Sequence, residues 1–135
     1  MNKILVIQTA FIGDVILATG VVETLRSEFP DAQIDFLLRK GNESLLANNA
    51  SLNKVVVWNK KEGKWKSMIR IVKQLRKEKY DAVFNLQRFF SSGLMTCFSG
   101  AKSKVDLIKI QCPFATRIRQ NTELPAILLL LLCMK

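Results

Sequence analysis

Residues 3–15 read K-I-L-V-I-Q-T-A-F-I-G-D-V, and this stretch decides the fold. Lys3–Gln8 is a short apolar run rich in β-branched residues, which is typical of a strand buried on both faces of a parallel sheet. From Asp14 to Phe29 apolar residues recur near helical spacing, and Pro30 ends the pattern. The stretch therefore predicts a strand, a turn with one glycine, and a helix.

The same alternation continues along the chain. Further strands are predicted at Gln33–Leu38, Lys54–Trp58 and Ala82–Leu86, and further helices at Glu43–Asn48, Trp65–Leu75 and Phe89–Phe98. In the helix around Trp65, apolar residues recur at helical spacing and are predicted to face the core; they are Trp65, Met68, Ile69, Val72 and Leu75. This order predicts an α/β fold with a doubly wound parallel sheet, in which ligands bind beyond the carboxyl ends of the strands.

Composition narrows the class of protein. A chain of 135 residues that is 49% hydrophobic and 24% charged fits one globular domain and excludes a disordered chain. The absence of histidine excludes His-based acid–base catalysis and His metal ligands. The cysteines Cys97, Cys112 and Cys133 form no C-x-x-C pair, so we expect reduced thiols and no metal site.

The net charge of +10 predicts an anionic partner. The basic helix segment Lys64–Lys79 could bind phosphate or membrane headgroups, although a solvated outer face is the simpler interpretation. Nucleic acid is disfavoured, because the basic residues are not interleaved with aromatic residues on which bases could stack. We find no secretory signal, and the apolar run Ala126–Met134 is too short to span a membrane.

The turn after the first strand carries the most chemistry. With one glycine it matches neither G-x-G-x-x-G nor a P-loop. We expect Gly13 to adopt a positive φ and to allow close backbone approach of a ligand. Asp14 lies at the start of the helix, where its ionised form is favoured and could take a proton from a hydroxyl group. The alternative is that Asp14 serves only as the helix N-cap.

Several motifs of this sequence resemble those of glycosyltransferase family 9, the ADP-heptose:lipopolysaccharide heptosyltransferases. The first is the strand and turn that end in Gly13-Asp14-Val15, followed by F-P-D-A-Q-I at Phe29–Ile34. The second is Y-D-A-V-F-N-L-Q at Tyr80–Gln87, followed by S-S-G-L and S-G-A. With the spacing between them kept, the resemblance covers Met1 to about Lys104.

This resemblance implies a Rossmann-like domain that forms the N-terminal, acceptor-binding half of a two-domain GT-B enzyme. It implies that Asp14 is the catalytic base, and we assign Thr9, Gly13 and Gln87 to acceptor binding. The resemblance implies that no metal is needed, and no cofactor is expected, because the donor ADP-heptose is a substrate. The implied partner is the lipopolysaccharide core, and the implied location is the cytoplasm with peripheral contact with the inner membrane.

The resemblance stops at Lys104, which divides the chain into a domain at 1–104 and a tail at 105–135. Back-translated codons of Val105–Cys112, read in a shifted frame that begins one base before the Asp106 codon, can spell G-F-D-K-N-P-M, which restores the Gly-Phe expected from the family. We therefore expect a frameshift, a non-native or disordered tail, and an incomplete, inactive enzyme fragment. The alternatives are a genuine divergent C-terminus, a non-catalytic phosphate- or membrane-binding module, or a subunit completed by a separate donor domain.

Overall fold

A computed structural model of the chain describes residues 2–87 and 89–106. It contains one parallel sheet in the order β3-β2-β1-β4-β5. The strands are β1 (Lys3–Ile7), β2 (Gln33–Arg39), β3 (Lys54–Trp58), β4 (Ala82–Asn85) and β5 (Ser103–Asp106), and the helices are α1 (Ile12–Glu28), α2 (Lys64–Glu78) and α3 (Phe90–Phe98). Short 3₁₀ turns lie at Glu43–Leu45 and Lys60–Glu62. The predicted doubly wound α/β sheet is confirmed.

Helices cover both faces of the sheet. Because successive residues of a strand point to opposite sides, β1 contributes side chains to the core on each face. On one face, Ile4 and Val6 of β1 pack in the core that buries α1. On the other face, Leu5 and Ile7 pack in the core that buries α2 and α3. The first strand is therefore buried on both sides, as its continuous apolar run predicts.

The helix α2 forms where it was predicted, but the face that it buries is different. Its buried residues are Ser67, Met68, Ile71 and Leu75. Ser67 faces inward because its hydroxyl accepts a hydrogen bond from the buried Trp58 indole N–H at 3.0 Å and donates to the Gly63 carbonyl at 2.9 Å. This rotates Trp65 and Ile69 outward, where they are 60% and 54% exposed. The prediction that these two residues face the core is wrong.

Two further expectations are corrected by the backbone. The predicted helix at Glu43–Asn48 is only a 3₁₀ turn at Glu43–Leu45. The strand β5 was not predicted, because its sequence S-K-V-D lacks an apolar pattern and it is held by pairing with β4. The boundary after Lys104 stays a prediction, although β5 runs across it. The predicted tail beyond Asp106 lies outside the described residues.

The amino end of the sheet is held by paired charges. Glu78 forms ion pairs with Lys3 and with Lys54, the latter at 3.0 Å. The Asp81 carboxylate accepts hydrogen bonds from the backbone N–H groups of Asn2 and Lys3 at 3.0 and 3.2 Å. These contacts tie α2 and the start of β4 to the start of β1. Within the described part of the chain, no helix is long and apolar enough to cross a membrane.

Candidate functional site at the carboxyl end of the sheet

The candidate site lies where β1 and β4 end side by side. Ile7, the last residue of β1, is in register with Asn85, the last residue of β4. From β1 the chain continues to β2 and β3, which lie on one side of β1, and then crosses to β4 on the other side. The direction of the connections therefore reverses between β1 and β4. Such a switch point opens a crevice in which ligands of doubly wound folds bind.

Thr9 and Gln87 are joined across this crevice. The Gln87 side-chain Oε1 accepts a hydrogen bond from the Thr9 backbone N–H at 3.0 Å and a second from the Thr9 hydroxyl. The Asn85 side-chain oxygen accepts from the Gln87 N–H at 3.1 Å and holds this loop in turn. Two of the three residues assigned to acceptor binding therefore form one buried unit, although their binding role stays a prediction.

Three buried amide side chains at this end keep polar atoms without a partner among the described residues. They are Gln8 Oε1, Asn85 Nδ2 and Gln87 Nε2. All three side chains are more than nine-tenths buried. Buried polar atoms in native proteins are almost always hydrogen-bonded, so each such atom calls for an explanation. One acceptor and two donors, all uncharged, suit a ligand that offers hydroxyl groups.

Within residues 2–87 and 89–106, the helices α1, α2 and α3 all begin at this end of the sheet, and their N-cap residues form no side-chain cap hydrogen bond. The N-cap positions of α1, α2 and α3 are held by Phe11, Gly63 and Phe89. Phenylalanine offers no side-chain acceptor, so the N-cap residues of α1 and α3 do not satisfy the first backbone N–H groups themselves. Phe11 and Phe89 are nevertheless exposed by 79% and 56%. The crevice thus combines uncapped helix starts with exposed aromatic rings.

Asp14 is the third residue of α1, half-buried in its first turn. The helix begins two residues earlier than predicted, and Phe11 is the N-cap. The alternative in which Asp14 is the N-cap is therefore wrong. Its position in the first turn remains favourable for a carboxylate, because the helix macrodipole is positive there.

Gly13 does not have the predicted positive φ. It is helical, exposed, and absent from the glycines with positive φ, which are Gly41, Gly63 and Gly100. A Cβ atom added at Gly13 would meet nothing within 4 Å. The expectation of a positive φ is wrong, since Ile12 and Gly13 of the predicted turn belong to α1. Open space beside Gly13 is still compatible with close approach of a ligand.

Sequence reasoning missed Gln8 and Asn85. Each is a polar residue that directly follows a run of buried apolar residues, Ile4–Ile7 in β1 and Ala82–Phe84 in β4. A polar amide in such a position is unusual, because it is buried where the strand itself supplies no side-chain partner. That signal could have been read from I-L-V-I-Q and A-V-F-N.

The sheet order and the switch point define a doubly wound, Rossmann-like domain, and solved GT-B glycosyltransferases match it. A glycosyl transferase of family 9 from Veillonella parvula superposes with a TM-score of 0.72 over 76% of this chain and 30% of that one, at 22% identity. The ADP-heptose lipopolysaccharide heptosyltransferase II of Escherichia coli superposes with a TM-score of 0.67 over 77% of this chain and 30% of that one, at 25% identity.

The sequence comparison gives the particular family. Lipopolysaccharide heptosyltransferase 3 of Escherichia coli is 34% identical over 97 residues, which are 69% of this chain and 28% of that protein. No family model matches the chain. On these similarities the chain belongs to glycosyltransferase family 9, the heptosyltransferases. It spans less than a third of the length of these relatives.

Proposed function

We propose that this chain is the acceptor-binding part of a heptosyltransferase that moves heptose from ADP-heptose to the lipopolysaccharide core. The observation that carries the proposal is the set of buried amide atoms of Gln8, Asn85 and Gln87 that have no partner among the described residues, at the carboxyl ends of β1 and β4. A sugar acceptor offers hydroxyl groups that can both donate to Gln8 Oε1 and accept from the two amide nitrogens. The names of the relatives point to the same acceptor.

In the proposed reaction, Asp14 takes the proton of one acceptor hydroxyl. The hydroxyl oxygen forms a bond to the anomeric carbon of heptose while the bond from that carbon to the β-phosphate oxygen of ADP breaks. The electron pair leaves with ADP, and the configuration at the anomeric carbon is inverted. The donor is expected to be held by a second domain of the full enzyme, or by a separately encoded subunit.

The excess of positive charge supports the same proposal. Lipopolysaccharide inner cores carry acidic and phosphate groups, and a chain of net charge +10 attracts such an acceptor. We place the reaction in the cytoplasm, at the inner membrane in which the acceptor is anchored.

Acceptor binding can be tested with the chain alone, by titrating deacylated core oligosaccharide in a calorimeter. Gln87→Glu keeps the oxygen that accepts from Thr9 but removes the unpartnered amide donor. We expect binding to weaken by about tenfold or more, since one lost hydrogen bond and one added negative charge act together. Gln33→Glu at the exposed amino end of β2 adds the same charge and should bind as the unchanged chain. Equal affinities of the two variants would overturn the proposed site.

Catalysis needs the donor-binding part, so it is tested in a full-length protein that carries these residues at its N-terminal end. Asp14→Asn should lower kcat by roughly 10²–10⁴, the range for a removed general base. Asp31→Asn, which neutralises an exposed carboxylate just beyond α1, is the matched control and should keep the rate. A near-normal kcat in Asp14→Asn would exclude Asp14 as the base.

A further inference from the structure

The outer face of α2 combines two exposed apolar residues with a surrounding set of cations. Trp65 and Ile69 lie one helical turn apart and are exposed by 60% and 54%. Most of the helix surface around them is basic, and the exposed cations are Lys64, Lys66, Arg70, Lys73, Arg76 and Lys77. Arg70 pairs with Glu62 of the preceding turn at 3.1 Å, and the one acidic residue of the helix, Glu78, pairs with Lys3 and Lys54. The other five exposed cations form no ion pair among the described residues. We call this surface the α2 face.

Part of this charge is placed where it opposes helix formation. The first turn of α2 contains no acidic residue and no side-chain cap, while Lys64 and Lys66 lie at the positive end of the helix macrodipole. Burial lowers the pKa of the nearby Lys60, and so do the positive charges of Arg39 and Lys64. Cations that disfavour their own helix are explained when an external anionic surface compensates them.

The α2 face also has a defined position relative to the crevice. Because α2 follows β3, its first turns lie at the carboxyl end of the sheet, which is the end that carries Thr9 and Gln87. Trp65 and Ile69 are in the first two turns of the helix. A flat surface against these residues would therefore lie at the same end of the domain as the proposed acceptor site.

We propose that the α2 face docks onto an anionic phospholipid bilayer. Trp65 and Ile69 would enter the headgroup region, and the lysine and arginine side chains would contact lipid phosphates. Tryptophan is enriched at membrane–water interfaces, and aliphatic Ile69 has no use in stacking on nucleic-acid bases. The proposal specifies the surface for the membrane contact proposed above, but its test requires neither lipopolysaccharide nor sugar transfer.

The test uses the full chain and vesicles of phosphatidylcholine with or without phosphatidylglycerol, measured by co-sedimentation and tryptophan emission. Anionic vesicles should bind the chain and shift the emission to shorter wavelength, while neutral vesicles should not. Trp65→Phe retains Trp58, which is fully buried, and should lose the shift. All variants share residues 107–135, so differences between them report on the α2 face.

Charge and apolar contact are separated by matched pairs of variants. Lys66→Gln with Lys73→Gln should weaken vesicle binding roughly 30-fold, since each lysine near an anionic surface contributes about 1 kcal/mol to binding. Lys79→Gln with Lys102→Gln removes the same charge at the other end of the sheet and should leave binding within about twofold. Trp65→Ser should weaken binding about tenfold, and Phe98→Ser, an equally exposed apolar residue elsewhere, should not.

Two results would overturn the proposal. One is equal loss of vesicle binding in both lysine pairs, which would indicate attraction by net charge alone. The other is binding of an oligonucleotide at least as tight as that of anionic vesicles, weakened by Lys66→Gln with Lys73→Gln but not by Trp65→Ser, which would make the α2 face a nucleic-acid surface. Failure of the core oligosaccharide to bind would refute the proposed acceptor site but leave this test unaffected.

Discussion

At the amino end of the sheet, charged and polar side chains are paired with each other and with the backbone, whereas at the carboxyl end buried amides keep atoms without partners. Asp81 accepts hydrogen bonds from two backbone N–H groups and pairs with Lys102 at 3.2 Å. Asp35, fully buried, accepts from the Tyr80 hydroxyl at 2.6 Å. By contrast, Gln8, Asn85 and Gln87 each have one buried polar atom without a hydrogen-bond partner in the described part of the chain.

We interpret this difference as a division of roles, in which the amino end stabilises the domain and the carboxyl end binds another molecule. Satisfied polar networks at one end hold the strands in register, while unsatisfied atoms and uncapped helices at the other end cost stability. Buried polar groups are hydrogen-bonded at the amino end, whereas several at the carboxyl end are not, within the residues that the structure describes. We infer that the carboxyl end was selected for contact with another molecule. The comparison predicts that removing a hydrogen-bond partner destabilises the amino end most, and that adding a helix cap at the carboxyl end stabilises the fold.

The largest effect on stability is expected for Tyr80→Phe at the amino end. Burial and the Asp35 carboxylate raise the pKa of Tyr80, so its hydroxyl stays protonated and donates to Asp35. Removing the hydroxyl leaves a buried carboxylate oxygen without that partner, although Asn53 still donates to the other oxygen at 3.3 Å. We expect the free energy of unfolding to fall by about 1–3 kcal/mol, measured by urea denaturation.

Thr9→Val is the matched removal of a buried hydroxyl at the carboxyl end. The Gln87 Oε1 atom keeps its hydrogen bond from the Thr9 N–H, so the loss should be only about 0.5–1 kcal/mol. A larger loss for Thr9→Val than for Tyr80→Phe would break the proposed division between the two ends.

Phe11→Ser and Phe89→Ser should each stabilise the fold by about 0.5–1 kcal/mol. Serine is among the best N-cap residues, and the two rings lie mainly in solvent, so little burial is lost. The same variants should bind core oligosaccharide more weakly, because their caps occupy backbone N–H groups that a ligand would use. Thermal unfolding and calorimetry measure the two effects on one sample.

Phe98→Ser is the control for this pair. Phe98 is exposed to the same extent as Phe89, at 56%, but it is the last residue of α3 and cannot cap its start. We expect no stabilisation. If Phe98→Ser stabilised the chain as much as Phe89→Ser, general removal of exposed apolar surface would explain both.

The strands could be predicted closely from the sequence, and the rotation of α2 could not. The third strand was predicted with the bounds that β3 has, and the first ends one residue early, because short apolar runs between polar turns leave little freedom. In α2 two apolar stripes overlap, and the choice depends on the bond between Trp58 and Ser67, which lie on different elements. Periodicity within one helix does not contain that contact.

For the site, the sequence indicated the turns but not which of their polar atoms are hydrogen-bonded. Thr9 and Gln87 were assigned through a family resemblance, and their mutual hydrogen bonds depend on the pairing of β1 with β4, residues far apart in the chain. The unsatisfied atoms of Gln8 and Asn85 are likewise properties of the packed edge. Gly13 was misjudged because the start of α1 was placed two residues late.

The smallest expected effect is the pH dependence of stability at the amino end. Hydrogen bonds from Lys3 and Lys54 lower the pKa of Glu78, and hydrogen bonds from the Asn2 N–H and Lys102 lower that of Asp81. A carboxylate whose pKa is lower in the folded state contributes stability above its unfolded pKa, and loses it as the pH falls through the folded value. Stability should therefore decline below about pH 4.5 for this pair of groups.

Replacing both groups, as Glu78→Gln with Asp81→Asn, should flatten the acid side of the profile of urea midpoint against pH between pH 6 and 3. The side chains of both groups are 26% exposed, so the ion pairs are partly screened and 1 M salt should flatten the profile of the unchanged chain in the same direction. An acid slope that neither the double substitution nor salt reduces would mean that the paired charges at the amino end do not hold it together. The buried contact between Tyr80 and Asp35 would then carry the stability of that end, and the contrast between the two ends would rest on buried hydrogen bonds alone.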